Sequence, residues 1–214
     1  RDRVRLNDCN SGQLDGASVP SVVHALSLRI QRAVRSVISS RRVFLVSPGL
    51  KTGLNIKIDN PASLGGDMVC AGVAAIAKYP LPCVIVSLGT ATALFAVDKD
   101  GGYLGGAIAP GINIAIEALT SQTAQLPQIS LEEPASVIGT NTVDSMRAGV
   151  VYGNAEMLDG LIRRIKEALG GDAFVVACGG NAENIVKYCR QEIHVDEHLV
   201  LEGLKLIYHK NARG

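Results

Sequence analysis

Charge of one sign is what this 214-residue chain has least of: 21 Lys and Arg stand against 20 Asp and Glu, a formal net charge of +1. A surface so balanced has no overall field to attract nucleic acid or an anionic membrane. The short basic clusters, Arg1, Arg3 and Arg5 and then Arg41 and Arg42, read as solvated faces. Long hydrophobic runs are also missing. The longest, around Val69 to Ala77, is alanine-rich and falls well short of the roughly 20 residues that span a bilayer, so a soluble chain is expected. Metal-ligand spacing is absent as well: Cys9, Cys70, Cys83, Cys178 and Cys189 form no CxxC pair, and His24, His194, His198 and His209 are scattered. Three of the thiols sit inside apolar segments, which suits buried cysteines in a reducing compartment, and a cytoplasmic address is expected. No signal peptide is visible. The chain begins at Arg1 rather than at methionine, so the natural N-terminus is expected to lie upstream.

What is present is globular composition, 47% hydrophobic and 19% charged, with enough length for one large or two small cores. No fixed repeat stands out. Leu14 to Val19 reads as a short strand, and Ser21 as the cap of a helix whose apolar residues Val23, Leu26, Ile30, Val34 and Val37 recur at helical spacing. Arg42 to Ser47 is a buried strand, Pro48 to Pro61 is rich in turn residues, and Gly66 to Lys78 is a helix of small residues. Cys83 to Leu88 is the next strand. Thr92 to Val97 and Tyr103 to Ile108 then form a hairpin across Asp98 to Gly102. Helices are predicted over Asn141 to Val151, Asn154 to Leu169 and Leu201 to Tyr208, with a strand from Ala173 to Ala177. Gly170 stands where a helix end wants positive φ. Alternating strands and helices with one tight hairpin indicate an α/β fold of mixed sheets covered by helices.

The informative unit runs from Val84 to Gly106. Gly89 and Thr90 follow directly on a buried strand, where backbone N–H groups and a hydroxyl can face a phosphate. Taken alone, such a turn reads equally as an ordinary β-turn. With the hairpin after it and the later strand leading to Gly179 and Gly180, it resembles the nucleotide-binding half of the actin, Hsp70 and sugar kinase superfamily. Within that group the chain resembles the type III pantothenate kinases. The motifs appear in order: SPGLKTGLNIKIDNP (Ser47 to Pro61), LGGD (Leu64 to Asp67), GTAT (Gly89 to Thr92), YLGGAIAPG (Tyr103 to Gly111), IGTNT (Ile138 to Thr142), GVVYG (Gly149 to Gly153), the Gly179–Gly180 pair and LEGLKLIY (Leu201 to Tyr208).

The resemblance implies a two-lobed fold of the ribonuclease H-like type, with an incomplete N-terminal lobe over residues 1–82 carrying the pantothenate-side motifs and a nucleotide-binding lobe over residues 83–214. It implies transfer of the ATP γ-phosphoryl group to the 4′-hydroxyl of pantothenate, the first step toward coenzyme A. Asp67 matches the catalytic base, although at a helix start it reads equally as a cap. Thr90 with Gly89 matches the ATP-phosphate contact, and Gly179 with Gly180 leaves room for the nucleotide. Gly65, Gly66, Asp67 and Thr142 match pantothenate-side positions, with turn glycines and a helix N-terminus as the plainer alternatives. ATP, Mg2+ and a monovalent cation, potassium or ammonium, are the implied cofactors. The implied partner is a second copy of the chain, with neither nucleic acid nor membrane involved. Asp59, Asp98, Asp100, Asp172 and the four histidines read as structural or surface groups.

Several positions depart from the family. Nothing in Arg1 to Ala17 matches its opening D-x-G-N-T phosphate turn. Ser87 stands where the family has a cation-binding aspartate, Met68 where it has an arginine after the catalytic aspartate, and Ile58 where it has a tyrosine before the DNP turn. Two expectations therefore compete: a working pantothenate kinase, or a catalytically impaired homologue acting as a binding or dimer partner.

Overall fold

The computed structural model describes residues 14–20, 24–38, 42–47 and 49–212. The readings of Ser21 as a cap, Val23 in the first helix, Cys9, Pro48, and the arginines at 1, 3, 5 and 41 lie outside the described residues. Two compact units form. The first is residues 1–78 with 198–214, and the second is residues 79–197. Where the sequence suggests one division near residue 82, the last helix in fact rejoins the first unit.

In the first unit, β1 (Ala17–Pro20) and β2 (Val43–Val46) pair in parallel, Ala17 opposite Val43 through Pro20 opposite Val46. Helix α1 (His24–Val37) joins them. Its expected apolar stripe is not fully covered, with Leu26 48% and Ile30 45% exposed, because two four-residue strands offer little surface to pack on. A two-residue strand β3 (Asn55–Ile56) and a 3-10 turn (Pro61–Ser63) lead into α2 (Gly66–Lys78), whose bounds match the sequence reading.

Small residues on α2 let α6 (Leu199–Ala212) approach closely. A Cβ on Gly203 would sit 1.9 Å from the Cys70 carbonyl oxygen, so only glycine fits that crossing. Val46, Val69, Cys70, Leu204 and Ile207 fill the space between these elements. Ser18 Oγ donates to the Leu204 carbonyl at 3.0 Å, tying β1 to α6.

The second unit is built on strands β4 (Cys83–Leu88), β5 (Ala91–Val97), β6 (Gly102–Pro110), β7 (Phe174–Cys178) and β8 (His194–Val195), lying in the order β6-β5-β4-β7-β8. β4 runs antiparallel to β5 and parallel to β7, so the sheet is mixed as expected. The hairpin turn is held by Asp98, whose Oδ1 accepts from Asp100 N at 2.9 Å and Gly102 N at 2.7 Å, while Gly101 takes φ 77°. This is the Asx-type turn that aspartate and glycine favour.

Helices α3 (Ile112–Gln122) and α4 (Thr142–Ala168) pack on the sheet, with Ile112, Ile116, Leu158 and Ile162 against Val84, Val86, Leu88 and Leu94. Full burial of each such side chain stabilises the fold by roughly 1.5–3 kcal/mol. The sequence suggests two helices over 141–169, but one 27-residue helix runs through. Gly153 is tolerated in its interior because nothing there removes the backbone ladder, and Asn154 Nδ2 donates back to the Val150 carbonyl at 2.7 Å. At its end Gly170 takes φ 94°, and Gly171 N donates to the Lys166 carbonyl at 2.9 Å, the expected C-terminal signature. A short helix α5 (Ala182–Val186) follows β7. Among the described residues no helix is long and apolar enough to cross a membrane.

Candidate active site

The first unit gathers the LGGD and DNP segments. Asn60 precedes the 3-10 turn, and its carbonyl accepts from Ser63 N at 3.1 Å and Ser63 Oγ at 2.7 Å. Leu64 leads from this turn to Gly65 and Gly66. A Cβ on Gly65 would lie 2.5 Å from Asp67 Oδ1, so the missing side chain leaves room for the carboxylate over the backbone. Asp67 is half-buried in the first turn of α2, where the positive end of the helix dipole favours its charge. Its effect reaches Cys70: burial first, and the Asp67 charge second, push that thiol up to about 12.

A cavity of about 400 Å³ opens beside this turn, with Val46, Leu64 and Val69 on its apolar side, Thr52 and Asn60 among its polar residues, and Gly66 at its edge. Of the two departures expected on the substrate side, Ile58 is half-buried and outside the cavity lining, and Met68 is buried in α2. The sequence reading did not single out Thr52 or Asn60. Their signal, polar residues within a turn-rich stretch, is too common to be distinctive.

The second unit gathers the glycines around the end of β4. Gly89 and Thr90 are exposed, and Gly89 N donates to the Ala91 carbonyl at 3.1 Å. A Cβ on Gly111 would meet the Thr90 carbonyl oxygen at 2.0 Å, and one on Gly179, which has φ 102°, would meet that of Leu88 at 2.6 Å. Asn181 N also donates to the Leu88 carbonyl, at 3.3 Å. Two turns distant in sequence are thus pressed against the strand end that carries Thr90, and α3 starts there. No side chain caps α3, since Gly111 is its N-cap, so its first amides keep free donors.

Thr142 is exposed at the first position of α4, where Asn141 Oδ1 accepts from Asp144 N at 3.0 Å and is the residue that caps. Ser87 is half-buried, and its register partners are Ala93 and Cys178. Thr92 is 1% exposed, and its hydroxyl finds no hydrogen-bond partner among the described residues. No group of three or more His, Cys, Asp or Glu that could hold a metal occurs among the described residues.

Asp172 behaves as the turn residue expected, accepting from Ala173 N at 2.9 Å and pairing with Lys166 at 3.3 Å. His194 packs 5.3 Å from the Tyr79 ring. One buried carboxylate was not anticipated from the sequence: Asp159 on α4 accepts from Arg190 N at 2.7 Å and Gln191 N at 3.0 Å, holding the segment after α5. Those bonds explain an acid inside an otherwise apolar helix face.

A family model described as type III pantothenate kinase matches residues 3–164. The type III pantothenate kinase of Brevibacillus brevis is 42% identical over 93% of this chain and 78% of its own length. That of an Exiguobacterium species is 41% identical over 94% of this chain and 78% of its own. A crystal structure described as a conserved putative Baf family transcriptional activator from Campylobacter jejuni shares the fold, with a TM-score of 0.62, 19% identity, and coverage of 90% of this chain and 81% of that one.

Proposed function

The chain belongs to the type III pantothenate kinase family, and from that membership we propose that it transfers the γ-phosphoryl group of ATP to the 4′-hydroxyl of pantothenate, the first step of coenzyme A biosynthesis. The observation that carries this reading is the identity of 41–42% over nearly the whole chain to two such kinases. The Gly89–Thr90 turn, packed against Gly111, with Gly179 against the preceding Leu88, fits the phosphate-binding part. The family and relative matches bring nothing in favour of the alternative of an impaired partner subunit.

The roles follow the family motifs. Asp67 accepts the proton that the substrate hydroxyl must lose, a contribution of roughly 10²- to 10⁴-fold for a positioned base. The Gly89–Thr90 amides and the Thr90 hydroxyl hold phosphate oxygens, and most of the catalysis of such a transfer is positioning and electrostatic stabilisation. The Gly179–Gly180 turn gives the nucleotide space, Gly65 and Gly66 contact pantothenate, and Thr142 matches a pantothenate-side position of the family. Magnesium enters with ATP, whose phosphates and bound water supply most of its ligands. For the monovalent cation, the neutral hydroxyl of Ser87 stands where the family has an aspartate, and its register partners Ala93 and Cys178 bring no carboxylate, so this position lacks the family's anionic ligand.

The thiols Cys70, Cys83 and Cys189 are free, in keeping with a reducing cytoplasm. A second copy of the chain is the partner this reading implies, and Ile108, 74% exposed, and Ile138, 77% exposed, leave apolar surface on the second unit. The reaction is tested by incubating the protein with ATP, magnesium and pantothenate and detecting 4′-phosphopantothenate by mass spectrometry. Absence of that product, with ATP hydrolysed or untouched, would sink the reading.

A further inference from the structure

Among the described residues Asp159, 6% exposed, is the only buried charged one. Its Oδ2 accepts from Arg190 N and its Oδ1 from Gln191 N, so both oxygens act on two consecutive backbone amides. A buried ion is costly, and an apolar side chain of similar volume in such a place is often neutral or stabilising. The stability of α4 therefore does not require a carboxylate here. What the carboxylate adds is a fixed position for residues 190 and 191.

Those residues are the far end of an arm that begins at the Gly179–Gly180 turn. The near end is set on the sheet, where Gly179 fits closely over the Leu88 carbonyl and Asn181 N donates to the same oxygen. Between the ends lies α5, five residues long, and a helix that short has little stability of its own. Its position comes from Ala182 and Ile185, both fully buried in the core with Leu158, and from what holds the chain beyond it. There Tyr188 meets the Tyr152 ring edge-on, and Lys187 with Glu133 and Arg190 with Glu156 form exposed ion pairs, each at 3.2 Å, which hold little. Resting on the kinase reading above, we propose that Asp159 is a positioning residue for ATP: it supplies the far hold of the arm, so that the Gly179–Gly180 turn meets the nucleotide in one pose. Gly180 is exposed, with open space where a side chain would stand. The pantothenate-side residues Gly65, Gly66 and Asp67 belong to the first unit, so the effect of the anchor falls on ATP. Anchoring and binding are linked, and the factor by which losing the anchor weakens ATP is the factor by which ATP suppresses release of the anchor.

The test compares the wild type with Asp159→Asn, whose carboxamide turns a donor instead of an acceptor toward one of the two N–H groups. The KM and Kd for ATP are expected to rise about three- to tenfold as the competent fraction of the arm falls, with the KM for pantothenate and kcat at saturating ATP unchanged. Glu156→Gln, which removes the exposed pair with Arg190, leaves all of these values as they are. In the wild type, saturating ATP slows hydrogen exchange at the Arg190 and Gln191 amides by a similar factor, a readout that stands even where Asp159→Asn does not fold. Equal KM and Kd for ATP in the wild type and a folded Asp159→Asn, or exchange at 190 and 191 indifferent to ATP, overturns the inference and leaves the kinase reading intact. A lower kcat and thermal midpoint with both KM values unmoved gives Asp159 a merely structural role and overturns it equally. A wild type whose ATP binding depends on Asp159 but which makes no 4′-phosphopantothenate overturns the kinase reading and leaves this inference standing. One that binds no ATP overturns both.

Discussion

At Asp67 the substitution Asp67→Asn keeps size and polarity and removes only the ability to accept a proton. Turnover with pantothenate is expected to fall by about 10²- to 10⁴-fold. The folding transition should move by no more than the ~0.3–1 kcal/mol that a carboxylate gains at a helix N-terminus. Equal activity in the two proteins would return Asp67 to the plainer role of completing the first turn of α2. Ser87 leads to a second expectation. Because a hydroxyl cannot stand in for a carboxylate charge, turnover measured in sodium and in potassium buffers should differ little, and a steep potassium activation curve would contradict it. Both residues were legible in the sequence, since each sits inside an ordered motif, LGGD or the strand before GTAT. Thr52 and Asn60, in the cavity wall beside α2, were not, because lining a cavity is a property of what surrounds a residue.

Helices and strands whose ends are set by local chemistry came out of the sequence with the right limits. α2 and β4 match residue for residue, and the hairpin is held by the Asp98 and Gly101 geometry that its turn residues favour. The longest missed element is α3, Ile112–Gln122; the short β3, α5 and β8 were missed as well. The isoleucines of α3 are β-branched, which lowers helix propensity, and packing of Ile112 and Ile116 on the sheet core overrides that preference. The contact between α2 and α6 rests on a similar close approach. Gly203→Ala would place a methyl 1.9 Å from the Cys70 carbonyl oxygen, a backbone atom that cannot swing away, so the two helices must separate. A loss of about 1–3 kcal/mol is expected, read as a lower urea midpoint with an unchanged m-value. A midpoint equal to that of the wild type would mean the crossing is looser than described.

Across the molecule, burial pushes Cys70, Cys83 and Cys189 each from 9.0 up to about 12, with Asp67 adding to the shift at Cys70, and Asp159 and Glu156 at Cys189. A thiol whose folded value is raised favours the fold while protonated, so its contribution is fully present below the unfolded value and is lost as pH rises from about 9 toward 12. Chemical-denaturation stability should therefore decline through that window, and substituting these cysteines with alanine or serine should flatten the decline. A profile flat to pH 11 would show that the thiols ionise freely. The sequence by itself determined the family, the α/β class and the limits of α2, β4 and, to within two residues, the hairpin strands, because glycines at positive φ, turn residues and apolar periodicity act over a few neighbouring positions. Only the tertiary structure decided that Gly111 and Gly179 close on the strand end at Leu88 to Thr90, that α6 returns to α2 across some 120 residues, and that Asn60 shares a cavity with Val69. Such contacts depend on the path of the whole chain and on which surfaces exclude water together, and no local preference encodes either.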